Sequence, residues 1–205
     1  FLKRYLMATA FQVHKCKFVE YPAHQITATS FSHSGKFVAV ARSNGSIEIW
    51  NIIDQWFLQQ IIPGEGPEFA ARSLLWVPSS LDAPQESQSS DLIINERLFS
   101  SGLAGEIVEW DLSNLIPKDK TIVGAGGIWQ MSGVISDFIS DVDDGIIEKQ
   151  YRICVGCEDG RVRIYQVMES GPCFLRSTSL RQPARVLCVA WHPNGKFVCA
   201  GDSEG

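Results

Sequence analysis

The sequence lacks the features of a membrane protein and of a strongly basic one. It has no apolar run approaching the roughly 20 residues of a transmembrane helix, and no N-terminal stretch with the apolar core of a signal peptide. It also lacks excess basic charge, since 18 Lys and Arg stand against 23 Asp and Glu, for a net charge of -5. Because nonspecific nucleic-acid binding depends on Lys and Arg that neutralise phosphates, this balance argues against binding through bulk charge. The overall charge does not exclude a local basic patch on the surface.

The sequence also gives little reason to expect a disulfide framework. Its six cysteines fall mostly among strand-like residues, in a chain of 205 residues that is 45% hydrophobic. A chain of that size can bury a core large enough to be stable without covalent cross-links. We therefore interpret the cysteines as reduced, buried thiols of a cytosolic or nuclear protein.

What the sequence does contain is a recurring β-hairpin pattern. In residues 155–165, Val162 and Ile164 alternate with polar or aromatic residues after Asp159-Gly160, a pair suited to the tight turn of an antiparallel hairpin. The same pattern occurs at residues 39–50 and 99–111, and it begins again at residues 199–205. A hairpin that recurs indicates a repeat protein.

The spacing of the repeats identifies the type of fold. The turn glycines Gly45, Gly105, Gly160 and Gly205 are separated by 60, 55 and 45 residues. Two insertions, of about 15 and about 13 residues, lengthen the middle copies. When they are subtracted, the repeat unit is roughly 42 to 45 residues long, which is the length of a WD40-type propeller repeat. One copy ends in a literal Trp-Asp pair, Trp110-Asp111.

The predicted fold is all-β, a WD40-type β-propeller with about three and a half blades. Because that number of blades cannot close a ring of the usual four to eight, we expect the chain to be an N-terminal fragment of a propeller protein. The predicted divisions are an N-terminal extension (1–10), blade 1 (11–55), blade 2 (56–113) with a disordered insertion (78–95), blade 3 (114–168) with an acidic insertion (137–149), and part of blade 4 (169–205). Residues 11–21 are predicted to form the first strand of blade 1, and residues 56–62 the first strand of blade 2.

Three motifs are candidates for a metal or cofactor site. Cys154 and Cys157 form a C-x-x-C pair, but they lie in a predicted strand, where residues three apart face opposite sides. Residues 141–145 resemble a calcium loop that lacks an oxygen ligand at its third position, so we expect a solvated acidic loop. The glycine-rich residues 124–127 lead toward a strand and lack the Lys-Ser/Thr of a phosphate-binding loop. The sequence therefore predicts no bound metal and no cofactor.

Catalytic residues are not predicted either. The four histidines, His14, His24, His33 and His192, fall in a strand or in turns, and His192 is expected to support the turn at Pro193. A propeller enzyme would need acids, histidines or metal ligands converging at one end of the channel, and no such residues recur at repeated positions. The chain is therefore expected not to be an enzyme.

Four arginines are the candidate contacts to RNA or to a partner. Arg161 and Arg163 share one face of a predicted outer strand, and Arg181 and Arg185 flank a proline-containing turn. Each pair is more often a solvated edge of the fold than a phosphate contact, and these four arginines are the expected contacts if RNA is bound.

Several segments resemble the cirhin family of nucleolar WD40 proteins. They are residues 11–18, 63–65, 97–107 and 155–160, and the resemblance extends over about residues 7–201, interrupted by the two insertions. Residues 98–107 are the most specific part, since generic WD40 repeats do not share them. The two insertions look longer than the family pattern.

The resemblance implies a non-catalytic scaffold of the small-subunit processome that acts in pre-rRNA processing and small-subunit rRNA maturation, with a link to ribosomal RNA transcription. It implies nucleolar localisation within the nucleus, and two propellers in tandem in the full protein. The implied partners are other WD40 proteins of the early pre-rRNA-binding subcomplex and the 5′ external transcribed spacer of pre-rRNA, with no membrane or small-molecule substrate. The repeats alone would equally permit a WD40 adaptor in another complex, such as a substrate receptor of a ubiquitin ligase.

Overall fold

The computed structural model describes residues 23–53, 56–79, 96–139 and 147–205. The strand predicted at residues 11–21 and the solvated loop predicted at residues 141–145 lie outside these ranges. So does the predicted disordered insertion, apart from Pro78 and Ser79.

The described residues form three four-stranded antiparallel sheets and one two-stranded sheet. The first sheet contains β1 (Ile26–Phe31), β2 (Phe37–Arg42), β3 (Ile47–Asn51) and β4 (Phe57–Ile62). The second contains β5 (Ala71–Pro78), β6 (Glu96–Gly102), β7 (Glu106–Asp111) and β8 (Ile116–Ile122). The third contains β9 (Ile128–Ile139), β10 (Ile147–Cys157), β11 (Val162–Gln166) and β12 (Phe174–Thr178). The fourth contains β13 (Val186–Trp191) and β14 (Val198–Asp202).

Each sheet is a meander in which strands consecutive in the chain are neighbours. The first strands of successive sheets lie against one another, β1 with β5, β5 with β9, and β9 with β13. This radial arrangement confirms the predicted propeller of about three and a half blades. The described part has a single short 3-10 helix, Pro67–Phe69, and no helix there is long and apolar enough to cross a bilayer.

The sheets are offset by one strand from the predicted blade boundaries. Residues 56–62, predicted to open blade 2, contain β4, which pairs with β3 of the first sheet. In the same way β12 pairs with β11, and it completes the third sheet. A sequence repeat and a structural sheet need not share their ends, so the repeat boundaries stay a prediction.

The acidic insertion is not wholly a loop. Strands β9 and β10 continue into it from both sides, where Asp137 pairs with Lys149 and Ile139 with Ile147. Antiparallel pairing satisfies the backbone groups of both strands whatever their side chains are, so a polar segment can extend a hairpin. The insertion predicted at residues 137–149 therefore begins and ends in paired strands.

Apolar side chains from facing sheets fill the space between them. Between the first and second sheets the cluster includes Phe37, Ile47, Ile49, Trp76 and Leu98. Between the second and third sheets it includes Phe99, Ile107, Ile128, Ile153 and Tyr165. Full burial of one such side chain contributes about 1.5–3 kcal/mol. These clusters fix the relative positions of the sheets and therefore of their connecting turns.

The C-x-x-C cysteines occupy different clusters. Cys154 packs with Val186 and Val189 of the fourth sheet, whereas Cys157 packs on the side of the second sheet, as expected for residues three apart in a strand. Burial raises the pKa of Cys154 to about 12 and also raises that of Cys157, so both stay protonated at neutral pH.

Not every cysteine is buried as predicted. The described cysteines are free thiols, and Cys188 and Cys199 are exposed. They lie on β13 and β14, whose sheet has only two strands in the described part of the chain. A strand needs a packed neighbour on its face to bury its side chains, and alternation in the sequence does not reveal whether that neighbour is there.

Candidate interaction surface at three equivalent corners

The second and third strands of the first three sheets are joined by turns of the same geometry. Gly45, Gly105 and Gly160 have φ values of 87°, 75° and 77°, and each N–H donates to the carbonyl three residues earlier. Positive φ at these values favours glycine. A Cβ at each position would meet the backbone of the segment that leads into the next sheet, at Gly66, Gly126 or Gln182.

Each turn therefore forms one corner together with the connecting segment it touches. The first corner comprises residues 42–49 and 63–70, the second comprises residues 102–109 and 123–127, and the third comprises residues 157–164 and 179–185. The predicted arginines all lie in the third corner, where Gln182 N–H donates to the Gly160 carbonyl at 2.7 Å. The fold thus brings together two segments that are about 20 residues apart in sequence.

The three corners differ in charge. The first has Arg42 against Glu48, Glu65 and Glu68, for a net charge of -2. The second has only Glu106 and Glu109, also -2. The third has Arg161, Arg163, Arg181 and Arg185 against Glu158 and Asp159, for a net charge of +2. One end of the sheets therefore carries an acidic region and a basic region.

Arg163 is engaged within the fold. Its guanidinium donates to both carboxylate oxygens of Asp159, at 3.0 and 2.6 Å, and its side chain is only 12% exposed. Hydrogen bonds from Arg163 hold the pKa of Asp159 below its usual value, and Asp159 in turn raises the pKa of Arg163. This pair closes the turn, so Arg163 is poorly placed to contact a phosphate.

The other three arginines are more available. Arg181 and Arg185 are exposed, and Arg161 is half-buried. Within the described residues, the side chains of Arg161 and Arg181 form no hydrogen bond or ion pair. The Arg185–Glu158 ion pair is long, at 3.5 Å, and both side chains are more than 40% exposed. Such a pair is worth little in water and can open for a ligand.

An aromatic residue completes the third corner. Trp129 Nε1 donates to Glu158 Oε2 at 2.5 Å, and the Arg185 guanidinium lies 5.8 Å from the centroid of the Trp129 ring. The half-buried indole therefore links the turn of the third sheet to the segment that carries Arg185. Aromatic and guanidinium groups are the side chains on which nucleic-acid bases stack.

Sequence patterns did not identify Trp129 as a surface residue. The first strand of each sheet has a bulge at its second residue, namely Thr27, Arg72, Trp129 and Leu187. A bulge interrupts the alternation of faces along a strand. These residues could have been identified by comparing the repeats, because each one occupies the same position, immediately before the alternating part of the first strand.

The opposite end of the sheets is organised by internal hydrogen bonds. The Trp76 carbonyl bonds with His33 Nε2 at 3.0 Å and accepts from Tyr151 Oη at 3.2 Å. Glu96 accepts from the backbone N–H groups of His33 and Ser34. His192 Nδ1 accepts from Asn194 N–H at 3.2 Å, so this histidine supports its own turn as predicted.

These polar groups form hydrogen bonds within the fold and hold neighbouring strands and turns in place. Among the residues described, no three His, Cys, Asp or Glu side chains form a group that could hold a metal ion. What the corners offer is a rigid arrangement of charged, aromatic and apolar side chains, which is suited to binding other macromolecules.

Comparison with known proteins supports the repeat assignment. A family model described as "WD domain, G-beta repeat" matches residues 14–51 and 176–205. In solved structures, the chain is similar to a chain of the mitotic checkpoint complex, with a TM-score of 0.59 and 14% identity over 88% of this chain and 47% of the other. It is also similar to the computationally designed Ika4 protein, with a TM-score of 0.57 and 16% identity over 91% of both chains.

Sequence relatives are more specific. Human "U3 small nucleolar RNA-associated protein 4 homolog" is 30% identical over 95% of this chain, and "U3 small nucleolar RNA-associated protein 4" of Saccharomyces cerevisiae is 32% identical over 94%. The chain spans about a quarter of the length of these relatives, 24% and 23% respectively. The chain is therefore part of a β-propeller built from WD40 repeats, and it is homologous over most of its length to the U3 small nucleolar RNA-associated protein 4 of human and yeast.

Proposed function

We propose that this chain belongs to the cirhin family and forms part of a non-catalytic scaffold subunit of the small-subunit processome. The observation that carries the proposal is similarity over 94–95% of the chain to relatives named for association with the U3 small nucleolar RNA in human, mouse and two yeasts. In this role the protein acts in pre-rRNA processing and in maturation of small-subunit rRNA, and it resides in the nucleolus.

The propeller supports a scaffold because its sheets hold surface segments at fixed positions. Packed inner strands leave the corner turns little freedom, so the backbone there is ordered before a partner binds and only the side chains have to be immobilised. The proposed protein partners are other WD40 subunits of the early pre-rRNA-binding subcomplex, and the proposed RNA is the 5′ external transcribed spacer.

The cellular role is tested by tagging and depleting the full-length protein. We expect the tagged protein in nucleoli, U3 small nucleolar RNA in its affinity purification, and loss of mature small-subunit rRNA with accumulation of precursors after depletion. A cytoplasmic protein that copurifies with a ubiquitin ligase, with unchanged rRNA on a northern blot, would contradict the proposal and favour the adaptor role.

We place the RNA contact at the third corner, through Arg161, Arg181 and Arg185. Their side chains are not committed to strong internal pairs, whereas Arg163 is bound to Asp159. Trp129 beside Arg185 adds a surface on which an unpaired base can stack. Single-stranded RNA therefore fits this corner better than duplex RNA.

The RNA contact is tested with a triple variant, Arg161→Gln, Arg181→Gln and Arg185→Gln, in the full-length protein. The slope of log affinity against log salt is negative, and each lost phosphate contact reduces its magnitude by about 0.7 for a single strand, so we expect the magnitude to fall by about 2. Lys196→Gln is the control for loss of a single positive charge elsewhere, because Lys196 is exposed in a turn at the opposite end of the sheets. Equal slopes for the triple variant and the parent protein would refute the contact.

A further inference from the structure

A small pocket lies between the first corner and the second sheet. Its walls include the apolar side chains of Phe69, Val108 and Trp110, and the charged residues Glu65, Glu106 and Lys120 also line it. Its volume is about 50 Å³. Ordinary small-molecule sites are several hundred Å³, so this pocket has room for the end of one side chain and not for a nucleotide.

Two of the three charged groups of the pocket form only a loose ion pair. Lys120 Nζ lies 3.7 Å from the nearer Glu106 carboxylate oxygen, which is beyond hydrogen-bond distance, and the Lys120 and Glu106 side chains are 46% and 28% exposed. In the described part of the chain, Glu65 has no hydrogen bond or ion pair and is exposed. The pocket therefore has a net charge of -1 and an unpaired carboxylate.

The apolar part of the pocket is also open. Phe69, the last residue of the short 3-10 helix Pro67–Phe69, is 48% exposed. Trp110 is held in place from the other side, since its Nε1 donates to Ser100 Oγ at 2.8 Å. Two aromatic rings thus lie beside carboxylates in a space of side-chain width.

We propose that this pocket binds a lysine side chain from an extended segment of a partner protein. The apolar walls match the four-carbon stem, the carboxylates match the ammonium group, and the rings add attraction to a cation. The small volume favours the compact ammonium of lysine over the planar guanidinium of arginine. RNA is disfavoured here, because the surrounding corners carry net negative charge. The inference stands on the pocket itself and is independent of the RNA contact at the third corner.

The test is photocrosslinking of the full-length protein to a short Gly-Ser peptide that carries one diazirine-containing lysine analogue with a free amine. Mass spectrometry should map adducts to Phe69, Val108 or Trp110. A Glu65→Gln and Glu106→Gln double variant should lower the yield at these residues about threefold to tenfold, since each exposed charge contributes modestly. A peptide with an uncharged photoreactive side chain of similar length should lose yield to the same extent.

The control for loss of a single carboxylate elsewhere is Glu169→Gln, at the opposite end of the third sheet, and it should leave the yield unchanged. Phe69→Ala, a change at an exposed ring, should also lower the yield while the melting temperature is maintained. Equal yields for the double variant and the parent, or for the charged and uncharged peptides, would overturn the proposal. An arginine peptide that binds more tightly than the lysine peptide would overturn the choice of lysine.

Discussion

The second and third corners have the same backbone and opposite charge. Gly105 and Gly160 have φ values within a few degrees of each other, and both contact the segment that leads into the next sheet. The residue after each glycine is Glu106 in one corner and Arg161 in the other. The glycine turn therefore fixes the shape of the corner, whereas the side chains around it can differ and can select different partners.

The largest expected effect comes from the shared backbone. Gly105→Ala and Gly160→Ala should each lower the free energy of unfolding by about 2–4 kcal/mol, because the new methyl group combines positive φ with a close approach to backbone atoms. Gly35→Ala is the control: its φ is 68°, but nothing lies within 4 Å of the added Cβ, so about 1 kcal/mol is expected. Urea denaturation measures all three, and equal losses would show that close packing at the corners is unimportant.

The next effect separates the two arginines of the third-corner turn. Arg163→Gln should cost about 1–3 kcal/mol, since it removes the two hydrogen bonds that the guanidinium donates to Asp159 and leaves the carboxylate only the one from the Arg161 N–H. Arg161→Gln should stay within about 0.5 kcal/mol, as is usual for a side chain without a specific contact. Thermal unfolding of the two variants gives the comparison, and a larger loss for Arg161→Gln would reverse the roles assigned to the pair.

Acid should weaken both corners through their carboxylates. Burial opposes ionisation of Glu109, but hydrogen bonds from Arg97 and Lys118 outweigh it and lower its pKa, and Arg163 lowers the pKa of Asp159. A depressed folded-state pKa gives stability that is present above the unfolded-state value, about 4, and is lost as pH falls through the folded-state pKa. Unfolding free energies measured between pH 6 and pH 2 should therefore fall below about pH 4. Arg163→Gln should flatten part of that fall, and an unchanged profile would argue against the Asp159 contribution.

The smallest effect on stability is expected from exchanging the charges of the two corners. Arg161→Glu reproduces the residue found after Gly105, and it should change the unfolding free energy by less than about 0.5 kcal/mol. It brings the third corner to zero net charge, so affinity for single-stranded RNA should fall severalfold at low salt. Fluorescence anisotropy tests this, and Lys196→Glu provides the same charge change away from the corner. Equal losses in both variants would mean that total charge, and not the corner, governs binding.

The repeats could be predicted from the sequence because each hairpin is specified by residues within it. Glycine at residues 45, 105 and 160, with alternating residues after it, specifies a turn and a strand wherever the unit occurs. Strand β8, Ile116–Ile122, was not predicted from the sequence. It contains three charged residues and a proline, and its residues alternate between exposed and half-buried without any that is fully buried. An outermost strand has little core to face, and so it leaves a weak pattern.

The candidate site was only partly predictable. The sequence identified Arg161 with Arg163, and Arg181 with Arg185, as two basic pairs. It could not show that Arg163 is bound to Asp159, because the two hydrogen bonds between them depend on the closed turn. Trp129 was missed because a bulge interrupts alternation, and the Phe69 pocket was missed because its walls come from two sheets.

By itself, the sequence determined the repeat, the turn positions and the all-β propeller class, since these follow from local φ preferences and from a period of two along each strand. The tertiary structure decided which strand completes which sheet, which arginines remain available, and where acidic and basic regions form at one end of the sheets. Those properties depend on contacts between residues far apart in the chain, and no local pattern encodes such contacts.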